Sequence, residues 1–349
     1  MGPVVPLLAI AEIYHKHNPQ VEFIWVGTKN GPEKELVDRY HIPFFTITSG
    51  KLRRYTSLWN FFDIFKIIFG FFQSLFLLWH EKPSLLITAG GFVSVPLHFA
   101  AYALGIPAWV HQQDSLAGLA NKIMSRIAKK ITTALRESEK DFPENKTEWI
   151  GNPVRNLSVA DINESRRKFS VPQGAPVILA MGGGTGSASI NKLVMEAVSA
   201  WPREYQVIHL VGKERPRELQ ESASKVFPNY HVYQFLKEEI KDAYAIADVV
   251  IARAGFATIT ELAALGKPAI LLPMSGTHQE VNSKLLADHQ AAIVMDEKVA
   301  DGLKLARTVV DLIAYPETRR YLGERLQTIL PPAKPQRVVD IIEQLVEHW

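Results

Sequence analysis

The feature that most constrains this chain is a repeating order: a short apolar run, a turn, then a helix-period stretch. Apolar runs bounded by Gly, Pro or charge occur at 23–27, 85–88 and 108–111, and again at 176–181, 206–211, 231–233, 249–252 and 269–273. Strands that alternate with helices pair in parallel, because each crossover helix carries the chain back over a sheet face. A chain of 349 residues is long for one such sheet and comfortable for two. The expectation is an α/β protein with two Rossmann-like doubly wound domains facing a cleft. The divisions fall at 1–150, a linker region at 151–174, a second domain at 175–333 and a closing helix at 334–349 that packs back on the first domain. The first helix, 6–17, precedes any strand, whereas a doubly wound domain begins with a strand and a Gly-rich turn. On that pattern the first strand is missing and the start reads as truncated.

Composition narrows the function. Apolar residues make up 47% and charged residues 21%, enough for a full core in each half and against disorder. A net charge of +3, with no aromatic-plus-basic run and no helix-turn-helix or zinc-finger spacing, gives no support to a nucleic-acid partner. There is no cysteine, hence no disulfide framework and no thiolate metal site. The N-terminus lacks the charged region and small-residue cleavage site of a signal peptide.

The run LWNFFDIFKIIFGFFQSLFLLW at 58–79 stands apart. Its weakly apolar positions, Asn60, Asp63, Lys66, Gly70, Gln73 and Ser74, recur every three or four residues and form one stripe of a helix. The rest of the circumference is Phe, Leu, Ile and Trp, more than one packing face needs. Lys51, Arg53 and Arg54 lie just upstream, and Trp59 and Trp79 flank the run. A core helix leaves the aromatic excess unexplained. A membrane span would bury Asp63 and Lys66, at ~3 kcal/mol each, and split the first domain across a bilayer. An interfacial element, with 51–79 against an anionic membrane surface, fits best.

Three segments of the second half carry ligand chemistry. Gly182-Gly183-Gly184-Thr185-Gly186-Ser187 follows one apolar run and opens a helix. It suits either a pyrophosphate cradled by backbone N–H groups or simply a tight strand-to-helix turn. Its spacing is neither the dinucleotide fingerprint nor a Walker loop. The stretch Ala252-Arg253-Ala254-Gly255-Phe256-Ala257-Thr258-Ile259-Thr260-Glu261 ends a strand, turns, and starts a helix expected near Thr258. Glu261, expected in the first turn, could accept ribose hydroxyls, or could close a capping box with Thr258. In the loop at 273–282, His278, Gln279 and Asn282 share one side of a helix start, beyond the carboxyl end of a strand, where open α/β sheets bind ligands. They make a poor metal site, with neither a second spaced His nor an acidic partner.

Taken together and in order, GPVVPLLAIAE, TAGGFVSVP, HQQDSLAGLANK, WIGNPVR, MGGGTGSASIN, RAGFATITELAALGKPAILLP and THQEVNSK resemble the MurG family of glycosyltransferases. The likeness runs from the first residues to about Lys284. It implies an inverting transfer of N-acetylglucosamine from UDP-N-acetylglucosamine to a lipid-linked muramyl-peptide, with no cofactor and no essential metal. It implies peptidoglycan synthesis at the cytoplasmic face of the inner membrane, within a cell-wall synthesis complex. On this resemblance Glu261 holds the ribose hydroxyls and the backbone of Leu236 reads uracil. Residues Ala254 to Ile259 and Gly184 to Ser187 wrap the diphosphate, with Arg155 near the cleft and Gly183 and Arg253 also on the donor side. His278 and Gln279 contact the sugar, with Asn282 alongside. Gly90, Gly91, His111 and Asn121 line the acceptor side. Departures fall at Pro3, where the family has His, at His111-Gln112-Gln113-Asp114, where it has His-Glu-Gln-Asn, and at Gly184-Thr185, where it has Ser-Gln. With Glu absent at 112, Asp114 is the preferred general base and His111 the second choice. Other readings are a different UDP-sugar glycosyltransferase on a lipid acceptor, a UDP-N-acetylglucosamine 2-epimerase, or a non-catalytic UDP-sugar-binding membrane scaffold.

Overall fold

The computed structural model describes residues 2–29, 31, 33–50, 58–213, 218, 222, 225 and 227–347, with backbone alone for 58–62. The chain divides into two compact units, 1–155 with 332–349, and 156–331. Each is built from parallel strands with helices between them.

The first unit opens with α1 (Val4–His17), β1 (Trp25–Gly27), α2 (Glu33–Asp38) and β2 (Phe44–Thr46), where β1 and β2 pair in parallel. Then come α3 (Leu58–Glu81), β3 (Leu86–Thr88), α4 (Ser94–Ala103), β4 (Ala108–Gln112), α5 (Leu119–Met124), β5 (Lys130–Thr133) and β6 (Thr147–Trp149). Strands β3 to β6 form a four-stranded parallel sheet in sequence order.

The second unit contains α6 (Ile162–Lys168), β7 (Val177–Met181), α7 (Ala188–Ala197), β8 (Gln206–Leu210), β9 (Tyr230–Tyr233), α8 (Ile240–Ile246), β10 (Val249–Ala252) and α9 (Phe256–Leu265). It continues through β11 (Ala269–Leu271), α10 (His278–Asp288), β12 (Ile293–Val294), α11 (Gly302–Ala314) and α12 (Pro316–Ile329). The stretch read as a linker, 151–174, therefore contains α6, and from Asn156 onward it belongs to the second unit. The last helix, α13 (Pro335–Glu347), returns to the first unit.

The second sheet is parallel throughout, in the order β12-β11-β10-β7-β8-β9. Its strands are apolar along their whole length because helices cover both faces; every residue of β7, β8 and β10 is buried. One face packs Ile178, Val207, Val249 and Ile251 against Ile190 and Val194 of α7 and Leu305 and Val309 of α11. Strand order reverses between β7 and β10, the switch point at which a doubly wound sheet opens a crevice beyond its strand ends.

In the first unit, α13 lays Val338, Ile341 and Ile342 on Ile10 of α1 and Trp109 of β4. Arg337 clamps it with a bidentate pair to Glu148 of β6, at 2.6 Å on both oxygens, and Lys130 of β5 joins the same carboxylate at 2.6 Å. The Arg337 bonds, aided by Lys130 and opposed by burial, hold Glu148 at about 2, well below the usual carboxylate range.

Helix α3 is inside out. Asp63, Gly70 and Ser74 are buried and Gln73 is half-buried, so most of the polar stripe faces the protein. Gln73 Oε1 accepts from the Thr48 amide at 2.7 Å. A Cβ on Gly70 would stand 1.9 Å from the Thr48 carbonyl oxygen, so only glycine allows that approach. Lys66 is the exception to the inward stripe: it is exposed and pairs with Asp63 at 3.1 Å. The outward face carries Ile64, Phe65, Ile68, Phe69, Phe72, Phe76 and Trp79, with Phe76 70% exposed. The stretch from Asp63 to Glu81 is also long and apolar enough to cross a membrane by length and composition. Lys51, Arg53, Arg54 and the side chains of Trp59 and Asn60 lie outside the described residues.

Candidate active site

The loops singled out in the second half leave the same edge of one sheet. Strands β7 and β10 are neighbours, with Ala252 opposite Met181, so Gly182–Ser187 and Arg253–Gly255 emerge side by side at the switch point. Strand β11 lies next, with Leu271 opposite Ala252, and brings in the loop before α10.

The glycine loop makes a tight strand-to-helix turn, close-packed at two of its glycines and open at a third. A Cβ on Gly182 would meet the Ser187 amide nitrogen at 2.2 Å, and one on Gly186 would meet the Val211 carbonyl oxygen at 2.0 Å. These glycines permit backbone-to-backbone packing. Gly183, with φ of +85°, has open space where its side chain would stand. Ser187 caps α7, its hydroxyl accepting from the Ile190 amide at 3.3 Å. Gly184 accepts from the Lys213 amide at 3.4 Å, which ties the loop to the end of β8, and Thr185 completes the turn between them. Behind the loop, buried Asn191 donates to the Val211 carbonyl at 3.1 Å and meets His209 Nε2 at 3.0 Å, while His209 Nδ1 bonds the Tyr230 hydroxyl. Burial holds His209 neutral, its pKa lowered to about 3.

Helix α9 begins at Phe256, two residues earlier than expected, with Gly255 as its cap. Thr258 therefore lies within the first turn and Glu261 in the second, and the expected capping box does not form. Amides of a first helical turn have no intrahelical acceptor, so the end of α9 at Phe256, Ala257 and Thr258 is chemically suited to an anion. Ala254 and Ile259 are buried, and Gly255 has open space at its Cβ position. Glu261 is itself buried, and its Oε2 accepts from the Tyr244 hydroxyl at 3.0 Å.

Arg253, expected among the donor-binding residues, is already paired within the protein. Its guanidinium pairs with Glu297 at 2.6 Å, donates to the Leu272 carbonyl at 3.0 Å and reaches Ser189 Oγ at 3.3 Å. Glu297 also accepts from the Ser275 amide at 3.2 Å. Burial raises the pKa of Glu297, but these bonds and the Arg253 charge outweigh it and keep the carboxyl ionised. Arg253 thus braces the loops after β7, β10, β11 and β12 together. Its partner Glu297 lies 44 residues and four elements further along the chain, which leaves no local signal of the pair.

At α10, Thr277 is the cap and Gln279 Oε1 accepts from the Met274 amide at 3.0 Å. His278 is exposed and Asn282 buried. Leu236 lies beyond β9, its side chain buried, in a segment joined to β8 by the bond from the Gly212 amide to the Gln234 carbonyl.

In the first unit, β3 and β4 are adjacent and deliver Gly90, Gly91 and the segment at 111–114 to one sheet edge. Gly90 and Gly91 have φ of +104° and +98°, and a Cβ on Gly90 would stand 3.0 Å from Asn121 Oδ1. Asn121 donates to Gln112 Oε1 at 2.6 Å. The Gln112 amide in turn donates to the carbonyls of Asp114 and Leu116, at 2.8 and 3.1 Å, two bonds that a carboxylate could not make. Gln112 therefore shapes the loop that carries Asp114, which is half-buried. Arg155 ends the first of the two stretches that make up the first unit.

His111 is removed from the choice of base. His111 Nε2–H donates to Asn152 Oδ1 at 2.7 Å, so Nδ1 of the neutral ring accepts from the Thr132 hydroxyl at 2.8 Å, and that oxygen accepts from Trp109 Nε1 at 2.8 Å. Both ring nitrogens are spoken for in a fully buried site. Burial, only partly offset by the Asn152 bond, lowers the His111 pKa to about 4. The sequence could not announce this, since Thr132 and Asn152 are 21 and 41 residues away.

Comparison with known proteins agrees across the whole chain. Residues 1–133 match the glycosyltransferase family 28 N-terminal domain, and 177–336 match the family 28 C-terminal domain. A Bacillus subtilis (strain 168) protein named UDP-N-acetylglucosamine--N-acetylmuramyl-(pentapeptide) pyrophosphoryl-undecaprenol N-acetylglucosamine transferase is 32% identical over 351 residues, covering 99% of this chain and 96% of that one. The crystal structure of Acinetobacter baumannii MurG superposes with a TM-score of 0.74 at 25% identity, over 98% of this chain and 96% of that one. UDP-GlcNAc 2-epimerase from Neisseria meningitidis, at 15% identity and a TM-score of 0.69 over 99% and 97%, shares the fold alone. With both domain families matched in order, and a relative of this identity over nearly its full length, the chain belongs to glycosyltransferase family 28 and has its GT-B fold.

Proposed function

We propose that this chain transfers N-acetylglucosamine from UDP-N-acetylglucosamine to the C4 hydroxyl of an N-acetylmuramyl-pentapeptide carried on pyrophosphoryl-undecaprenol, the lipid I to lipid II step of peptidoglycan synthesis. The observation that carries it is the pairing of the Gly182–Ser187 loop with the start of α9 on adjacent strands of the switch point. Two sets of backbone amides there suit a diphosphate, and the helix dipoles offset the charge that develops on departing UDP without reorganising.

In this reading the second unit holds the donor. Glu261 accepts the ribose hydroxyls, Leu236 meets uracil through its backbone, and His278 and Asn282 approach the sugar. Gln279 and Arg253 hold their loops in place, and Arg155 completes the set. The first unit holds the acceptor at Gly90, Gly91 and Asn121. Asp114 takes the proton of the C4 hydroxyl as that oxygen attacks the anomeric carbon, the bond to UDP breaks, and the configuration inverts.

The outward face of α3 fits a peripheral attachment to the membrane that carries the acceptor. Seven large apolar side chains on one face, with the polar stripe turned inward, suit a helix lying in the headgroup region. The basic residues upstream fit the anionic inner leaflet, with the enzyme on its cytoplasmic side beside other cell-wall synthesis proteins.

Transfer of labelled sugar from UDP-N-acetylglucosamine to a lipid I analogue tests the reading. Turnover is expected, and Glu261→Ala should lower kcat/KM by roughly 100-fold or more, since two hydroxyl bonds to a charged acceptor are lost. Full activity in that variant, or UDP-sugar binding with no transfer in the parent protein, overturns it.

A further inference from the structure

The buried hydroxyl of Tyr244 has no part in the scheme above. Tyr244 stands on α8, which packs against β7, and it has no solvent exposure. Its oxygen lies 3.4 Å from the sulfur of Met181, the last residue of β7, and 3.0 Å from Glu261 Oε2 in the second turn of α9. A thioether is a weak acceptor and a carboxylate a strong one, so the phenolic proton goes to Glu261. The contact ties together the two elements that flank the switch point, one ending at the glycine loop and the other opening at Gly255.

A glutamate side chain has three torsions, and one that must meet two vicinal hydroxyls loses affinity unless something holds its carboxylate in place. Tyr244 is placed to do this from the side opposite solvent. The ring fills the core and the hydroxyl alone makes the directional contact, so removing the oxygen separates the packing role from the orienting one.

We infer that Tyr244 is a positioning residue that fixes the carboxylate of Glu261, and that through it the enzyme favours a ribose over a 2′-deoxyribose in its donor. The inference rests on the reading of Glu261 as the ribose acceptor.

Binding of UDP and of 2′-deoxy-UDP is measured by calorimetry for the parent protein, Tyr244→Phe, Glu261→Gln and Met181→Leu. The parent should prefer UDP by about tenfold or more, because a site built to bond a hydroxyl rejects the analogue that lacks it. Tyr244→Phe should weaken UDP roughly tenfold and 2′-deoxy-UDP much less, so that the preference collapses to within about threefold. Its KM for UDP-N-acetylglucosamine should rise while kcat stays within about threefold. Met181→Leu should keep the preference. Equal weakening of both nucleotides by Tyr244→Phe would mean that the hydroxyl only supports the scaffold, and an unchanged preference would mean that it does nothing for the ribose; either overturns the inference. A preference that survives Glu261→Gln, or that is missing in the parent, brings down the Glu261 assignment itself, and it does so without reference to Tyr244.

Discussion

The two units solve the same fold in opposite ways. In the second, the edge proposed to face the donor is closed by backbone against backbone and by internal pairs: Gly186 on Val211, Arg253 with Glu297, Asn191 with His209. Its helices turn their apolar sides inward, as α11 does with Leu305, Val309 and Leu312. In the first, α3 turns its polar stripe inward and presents a face of Phe, Ile and Trp outward. The hydrophobic effect orders both, since apolar surface goes wherever water is scarce. On the proposed membrane attachment, the water-poor side of α3 is outside the protein.

The largest effect should come from breaking the closed edge. Gly186→Ala forces a side chain onto the Val211 carbonyl at a residue with φ of +80°, and should cost about 2–4 kcal/mol. Gly183→Ala, at a similar φ but in open space, should cost about 1–2 kcal/mol. Denaturant melts of the two variants test whether packing, rather than backbone conformation alone, dictates the loop. Equal losses would argue against the close-packed description.

A middle-sized effect should separate the outer face of α3 from stability. Phe72→Ser with Phe76→Ser should lower sedimentation with anionic vesicles by roughly tenfold or more, since each ring is worth about 1.5–3 kcal/mol when buried. The melting midpoint should barely move, because exposed substitutions usually shift stability by about 0.5 kcal/mol or less. A large loss of stability with unchanged vesicle binding would make α3 an ordinary core helix.

The smallest effect concerns pH. Glu148 is more acidic in the folded protein than in the unfolded chain, so the stability it contributes is present above the ordinary glutamate value and is lost as pH falls toward about 2. Glu148→Gln should cost about 1–2 kcal/mol at pH 7 and almost nothing at pH 2, as read from urea melts at both values. No such convergence would mean that α13 is held by its apolar face alone.

Much of this was legible from residue order. The strands β7, β8, β10 and β11 announce themselves as apolar runs ended by Gly, Pro or a polar turn, and their alternation with helices requires parallel pairing. What stayed hidden was set by partners far along the chain. Nothing near His111 says that Thr132 and Asn152 will occupy its ring, and nothing near Arg253 points to Glu297. Local signals also misled, since Thr258 and Glu261 have capping-box spacing yet α9 starts at Phe256 because Gly255 takes the cap. Periodicity marked the stripe on α3, but only the contacts of Gly70 and Gln73 tell which side it faces.

The return of α13 to the first unit also sets an order of assembly. The second unit is one continuous segment, 156–331, whereas the first needs residues from both sides of it. On a ribosome, β6 emerges long before the helix that Arg337 fastens to it, 189 residues later. The sheet of the first unit must therefore wait, with Trp109 and Ile10 uncovered, while the second unit is already able to fold. Synthesis proceeds from the first residue, but the half of the enzyme made first is the half that is finished last.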